Sequence, residues 1–294
     1  MRVFVTGSTG FIGSKVVGEL IGAGHQVLGL TRSAAGTRAL EAVGAAALLG
    51  DVEDLPALQR GTAGCDAVIH TAFDHDFAHF DDNCQKDYRA IIALGAALEG
   101  TDRPLLITSG VGMGAAGPGQ PASEDHFDAG HGNPRVASEL AGLEVSRRGG
   151  KVVVMRLAQI HDRVKQGLVS YVIAHAQRTG VCSYIGEGLN GWSAAPVADT
   201  ARLYRLALEQ GVAGARYHAV AQERVSFRRI AETVAQRLGL PVVSMSAEEA
   251  GAHFGWLAGF VGMDMWASSA LTRQRLGWAP QGAGLLEDLQ ALEL

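Results

Sequence analysis

Short apolar runs recur along the first 160 residues, each followed by a polar or glycine-rich break and then by apolar positions at helical spacing. The first run, Val3, Phe4 and Val5, has the β-branched and aromatic make-up of a buried strand. It stops at Thr6-Gly7-Ser8-Thr9-Gly10-Phe11-Ile12-Gly13, after which Val16, Val17, Leu20 and Ile21 mark one face of a helix over 14–23. The same reading predicts strands at 26–30, 46–49, 66–70, 104–108 and 151–156. Helices fall between them at 34–43, up to Leu58, up to Glu99, and from Asn133 and Pro134 to Arg148. Beyond Ile160 the rhythm changes: helices around 165–178, 199–210, 227–238 and near the C-terminus mix with short strands at 183–185, 216–220 and 242–244.

Six strand–helix alternations predict an α/β fold, a Rossmann-type doubly wound parallel sheet, with a smaller C-terminal substrate lobe. The expected division is 1–160 for the dinucleotide-binding part and 161–294 for the lobe, with about 194–220 returning to the sheet. The opening stretch then has a definite chemistry. Gly7 permits the tight turn, Gly10 lets backbone approach a pyrophosphate, and Gly13 lets strand and helix pack closely. With Thr9, Phe11 and Ile12 these residues form the expected phosphate cradle at a helix N-terminus.

Cofactor choice is read from the end of the second strand, where NAD-selective folds place a carboxylate on the ribose. Here Thr31-Arg32-Ser33 stand instead, and a guanidinium pairs with a 2′-phosphate, so NADP(H) is expected ahead of NAD(H). Asp51, followed by Val52, either meets the adenine amino group or caps the helix through Leu58. Thr71 and Ala72, after the fourth strand, and Thr108, ending the fifth, fall on the edge where ligands of such sheets lie.

Composition narrows the class further. A formal charge of −5 without a basic run gives no support for nucleic-acid binding. No stretch approaches the roughly 18 apolar residues of a membrane span. Three scattered cysteines, Cys65, Cys84 and Cys182, indicate neither a disulfide framework nor a zinc site. A first strand beginning almost at Met1 leaves no room for a signal peptide, and the expectation is a cytoplasmic protein acting on a small molecule. His75 and His79, one helical turn apart among carboxylates, look superficially metal-like, but an exposed loop bordering the substrate pocket is the expected role, with no metal. The Gly- and Pro-rich loop through Gly132 is long enough to carry function.

The motifs together resemble the extended short-chain dehydrogenase/reductase family, which includes sugar epimerases and dehydratases. The likeness spans nearly the whole chain: the N-terminal glycines, Gly50-Asp51, His70-Thr71-Ala72, Thr108-Ser109, Arg156-Leu157, Pro196-Val197 with Asp199, and Ser268-Ser269 followed by Arg273 and Leu276-Gly277-Trp278. The family's usual tyrosine, with lysine four positions later, is absent. The window reads His131-Gly132-Asn133-Pro134-Arg135, similar to an atypical subgroup with His-x-x-x-Arg. The resemblance implies His131, Arg135 and Ser109 as the catalytic set, although the family's hydroxyl can fall at Gly110. It also implies a possible homodimer through helices at about 84–99 and 133–148. Histidine titrates near pH 6.5 and so can donate a proton at neutral pH, whereas Arg135 stays charged and either binds ribose or lowers the histidine pKa by charge repulsion. Pro134 can leave His131 ahead of the helix, and His126 with Asp125 offers a substitute. His161 and Asp162 are candidates to face substrate. Tyr184, Trp192 and the run from His253 to Leu257 read as core of the lobe or as an apolar pocket wall. An NADP(H)-dependent reductase of a carbonyl or similarly polarised double bond is the leading expectation. An epimerase or dehydratase, and a cofactor-binding sensor without turnover, are the alternatives.

Overall fold

The computed structural model describes residues 1–117 and 119–293. Its first half runs β1 (Arg2–Thr6), α1 (Phe11–Gly22), β2 (Gln26–Thr31), α2 (Ala34–Ala42), β3 (Ala46–Leu49), α3 (Leu55–Ala63), β4 (Ala67–His70), α4 (Phe80–Ala96), β5 (Pro104–Gly110), α5 (Val136–Arg147) and β6 (Lys151–Leu157). There follow β7 (Gln159–His161), α6 (Val169–Thr179), β8 (Cys182–Ile185), β9 (Gly191–Pro196), α7 (Val197–Gln210), β10 (Arg216–Ala219), β11 (Gln222–Ser226) and α8 (Phe227–Leu238). The chain ends with β12 (Val242–Met245), α9 (Ala247–Phe254), α10 (Ala258–Val261), α11 (Ala270–Leu276) and α12 (Leu285–Gln290).

Seven strands form one parallel sheet in the order β10-β6-β5-β4-β1-β2-β3. The order reverses between β1 and β4, and ligands of such sheets lie in the crevice at that switch point. Alternate residues of each strand face opposite sides. Val3, Val5 and Leu106 pack towards α1 and α7, while Phe4, Leu105 and Ile107 pack towards α3, α4 and α5. Both faces are covered, which is why these strands read as unbroken apolar runs. A separate cluster centred on Trp192, Phe227, Ile230 and Phe254 forms the core of the lobe, beside the small sheets β11-β9-β7 and β12-β8. α7 leaves β9 to pack on α1, and β10 then pairs with β6 at the edge of the large sheet.

Three late strands, β7, β9 and β11, have no counterpart in the pattern reading. They are short, and the alternation that reveals a half-exposed strand is missing because β7 and β9 are buried on both sides. The C-terminal signature is tied down by Asp199, almost fully buried at the start of α7. Its Oδ2 accepts the Gln281 and Gly282 N–H groups at 3.0 and 2.7 Å, and its carbonyl accepts the Trp278 indole at 2.9 Å. No helix among the described residues is long and apolar enough to cross a membrane.

Candidate active site

The glycine turn between β1 and α1 is as crowded as close backbone approach requires. Gly7 adopts φ +65°, and a Cβ there would lie 2.7 Å from the Ala72 amide nitrogen. A Cβ on Gly13 would collide with the Gly7 carbonyl oxygen. The first N–H bond of α1 is Ser14 to the Gly10 carbonyl at 2.9 Å, and no side chain caps the helix. The Phe11, Ile12 and Gly13 N–H groups are therefore open to an anion, with Thr9 exposed beside them. The cradle fits a dinucleotide pyrophosphate and would be filled by any larger residue.

At the end of β2, the Arg32 side chain is 83% exposed, with Nε 3.8 Å from Asp51 Oδ2. Ser33 caps α2 through its Oγ, which accepts the Gly36 N–H at 3.1 Å. The choice left open for Asp51 resolves against the cap: Asp54 holds that position on α3, accepting the Ala57 N–H at 3.0 Å. Asp51 instead accepts the Glu53 N–H and faces Arg32, with Val52 half-buried beside it.

The ends of β4 and β5 join α4 and α5 through a chain of polar contacts. Asp87, buried on α4, accepts His70 Nε2–H at 2.9 Å. With Nε2 donating to Asp87, His70 Nδ1 is the acceptor for the Thr6 hydroxyl at 2.7 Å, and Thr6 Oγ accepts the Ala72 N–H at 3.4 Å. On its other side Asp87 takes Arg135 Nη1 at 2.6 Å and the Ser138 hydroxyl at 2.5 Å. Arg135 also contacts Ser138, donates from Nη2 to the Thr108 carbonyl at 2.8 Å, and lies 4.0 Å above the Phe73 ring. Burial opposes ionisation of Asp87, but Arg135, His70 and Ser138 outweigh it and hold the carboxyl well below the usual carboxylate range. Thr108 spends its one proton on the His70 carbonyl at 2.7 Å, so the buried Tyr204 hydroxyl must donate to it at 2.6 Å.

The expected catalytic set is thus only partly gathered. Arg135 stands at the end of β5, fixed by Asp87, Ser138 and Thr108. His131 does not share a helical face with it, because α5 begins only at Val136 and Pro134 occupies the turn before it. The His131 Nδ1 accepts the Asn133 N–H at 3.0 Å, which leaves Nε2 as the ring's donor nitrogen. Ser109 follows Ile107 onto the α4–α5 side of the sheet, opposite Thr108, and its buried hydroxyl has no hydrogen-bond partner among the described residues.

Other candidates are displaced from the cleft. His161 is fully buried, its Nδ1 bonded to Asp288 at 2.7 Å, and does not face a substrate. Asp162 is half-buried and organises its own loop. Asp125 pairs with Arg275. Tyr184, Trp192, Phe254 and Leu257 belong to the lobe core, but Trp256 is 49% exposed and stacks on Phe77 at 4.7 Å. Phe77 continues the ring cluster formed with Phe73, His75, Phe80 and Tyr171, on the bank of the cleft after β4. His75 and His79 diverge: His79 pairs with Asp76 at 2.9 Å, while His75 sets its ring edge against Phe73.

A second buried network holds the long loop before α5. Arg156, fully buried on β6, grips Glu139 of α5 at 2.7 and 2.9 Å. Its Nη1 also donates to the Ser123 and His126 carbonyls, and its Nη2 to that of Met113. Beside it, His218 is pushed down to about 4 by burial and by Arg156, against the opposing pull of Glu124. At pH above about 6.5 His218 is neutral whether folded or unfolded. As pH falls from there towards 4, only the unfolded chain gains the proton, so stability should decline by up to a few kcal/mol. Urea midpoints should fall across that window, and His218→Gln should flatten this part of the profile. An unchanged slope in the variant would remove His218 as the cause.

Asp87, Ser138 and Tyr204 are not among the residues that the sequence motifs single out. Asp87 had a signal: it occupies the face of α4 otherwise held by Cys84, Ile91 and Leu94, where an unpaired carboxylate is excluded.

Comparison with known proteins agrees with this architecture. The model of the NAD dependent epimerase/dehydratase family matches residues 3–221. An uncharacterized protein of Schizosaccharomyces pombe is 42% identical over 290 residues, 98% of each chain. A 4-hydroxy-2-methyl-3-oxo-4-farnesyl-3,4-dihydroquinoline-1-oxide ketoreductase of Stigmatella aurantiaca is 39% identical over 72 residues, covering 24% of this chain and 22% of that one. In fold, the chain is similar to a dTDP-glucose 4,6-dehydratase from Streptomyces venezuelae solved with NAD, with TM-score 0.79, 19% identity, and 99% and 96% of the two chains covered. With the glycine cradle, the parallel sheet and the matched 3–221 segment in agreement, the chain belongs to the NAD dependent epimerase/dehydratase family.

Proposed function

We propose that the protein is an NADP(H)-dependent oxidoreductase that reduces a carbonyl or similarly polarised double bond of a small organic substrate. The observation that carries this reading is Arg135. A permanent cation is fixed at the end of β5 by Asp87 and the Thr108 carbonyl, over the ring of Phe73, the residue after Ala72. Bound NADP(H) would supply the hydride. Arg135 orients ribose and stabilises negative charge developing on the substrate oxygen, and it cannot itself give up a proton. In this reading His131 serves as proton donor in its imidazolium form, which requires Nδ1 to release the Asn133 N–H. The family's named reductases and its epimerases both use this fold, and the missing tyrosine favours reduction over sugar epimerisation.

The NADP(H) preference rests on Arg32, exposed at the end of β2 with Asp51 Oδ2 3.8 Å from its Nε. Gly7, Gly10 and Gly13, the Thr9–Ile12 backbone, Ser33, Val52, Thr71 and Ala72 would line the rest of the dinucleotide. Arg32→Ala is expected to weaken NADPH binding about tenfold and leave NADH binding nearly unchanged, as measured by fluorescence titration. Turnover would be sought with ketones, enones, quinones and imines. NADPH binding without turnover on that panel would favour a cofactor sensor instead, and full activity in His131→Ala would remove the assigned donor.

A further inference from the structure

Between β7 and α6, residues 162–168 form a tight loop directed back to the dinucleotide side of the molecule. Asp162 Oδ1 accepts the Val164 and Lys165 N–H groups at 2.8 and 2.9 Å, and the Asp162 N–H returns to the Lys165 carbonyl at 2.9 Å. The buried Gln166 donates its side-chain amide to the Asp162 carbonyl, and Gln159 receives the Leu168 N–H. This loop carries Lys165 to Phe11, the first residue of α1, with Nζ 5.9 Å from the ring centroid. Lys86 and Lys151 pair with carboxylates, whereas Lys165, like Lys15, pairs with none among the described residues.

The opposite bank, after β4, carries His75 three residues beyond Ala72. Its ring reaches solvent inside the cleft and leans on Phe73, which also supports Arg135. Three charged groups face it: Arg135 from the β5–α5 side, Lys165 from the lobe loop, and Asp74 from its own loop. Desolvation comes first, and with Arg135 and Lys165 it holds the His75 ring below the usual histidine range. The Phe73 carbonyl and Asp74 pull the other way. The Lys165 ammonium thus stands beside the first residue of α1, with the His75 ring within its field across the cleft.

We infer that Lys165 and His75 form a clasp from opposite banks over the pyrophosphate of a bound dinucleotide, so that the lobe itself takes part in holding the cofactor. The inference rests on dinucleotide binding by this cleft. It goes beyond the proposed activity, since the clasp grips a group that NADPH, NADH and ADP-ribose share. Lys165 supplies a fixed charge. His75 takes up a proton when the pyrophosphate offsets the repulsion from Lys165 and Arg135.

The test is equilibrium binding by titration calorimetry at low and physiological salt, with NADPH, NADH and ADP-ribose as probes. Lys165→Met should weaken all three about five- to tenfold and flatten the salt dependence, while Lys165→Arg should restore most of the loss. Wild-type affinity should rise as pH falls from 7 towards 6. Titrations in buffers of different ionisation enthalpy should show proton uptake on binding, which His75→Asn abolishes. Affinities within twofold of wild type in a folded Lys165→Met protein, or proton uptake that survives in His75→Asn, would overturn the clasp. Failure of the wild-type protein to bind any of the three would instead overturn the dinucleotide reading itself.

Discussion

Replacing Arg135 with methionine is expected to lower turnover by about a hundredfold or more and to destabilise the fold by about 3–5 kcal/mol. The two losses have different origins. Catalytically, the variant removes the permanent cation at the end of β5. Structurally, it leaves Asp87 ionised and nearly sealed from water with only His70 and Ser138 for partners. Because the folded Asp87 carboxyl lies below its unfolded value, its contribution is complete above about pH 4 and disappears as pH falls further. The difference in urea midpoint between wild type and Arg135→Met should therefore be flat from pH 5 to 8 and shrink in acid. Arg135→Lys is informative because it keeps the charge but cannot bridge Asp87 and the Thr108 carbonyl together. It should recover part of the stability, and a variant as stable as wild type would show that the bridge carries no weight.

Arg156→Met should be the most disruptive change outside the cleft. Arg156 is the donor for three carbonyls of the 113–126 segment as well as the partner of Glu139. Glu139 would keep Arg216 at 2.9 Å, yet one buried carboxylate oxygen would lose its partner. A cost of about 3–5 kcal/mol follows from a broken buried pair. The double variant Arg156→Met/Glu139→Leu separates charge from anchoring. Removing both ions should recover only part of the stability, because Glu139→Leu also takes away the carboxylate that Arg216 pairs with. The carbonyls of Ser123 and His126 would still lack a donor, so the loop should stay sensitive to limited proteolysis in the double variant. Wild-type protease resistance there would refute the anchoring role.

The sheet and its cradle were legible because their determinants are local. Val3 to Val5, the glycine spacing and the apolar face of α1 each announce one element within a dozen residues. The site was legible only where a residue type was unusual, as with Arg32 and Arg135. Asp87, Ser138 and Tyr204 act through partners 51, 51 and 96 positions distant, and no sequence period records such pairings. His131 shows the reverse failure: spacing of four residues suggests a shared helical face, but Pro134 delays the helix to Val136. Trp256 failed for another reason. Its neighbours Phe254 and Leu257 are core residues, and only the three-dimensional turn of 255–257 exposes one ring of the run.

The seventh strand of the large sheet is the last to be made. β10 spans Arg216–Ala219, some sixty residues after β6 has left the ribosome. During that interval β6 offers a bare edge of Val152, Val153, Val154 and Met155, the kind of run that recruits foreign strands. Both of the elements that complete the sheet, α7 and β10, come after the first strands of the lobe. A chain arrested near residue 160 therefore carries every glycine of the cradle and no finished edge to support it. Until β10 pairs with β6, the nascent sheet therefore keeps an open edge that invites misassociation.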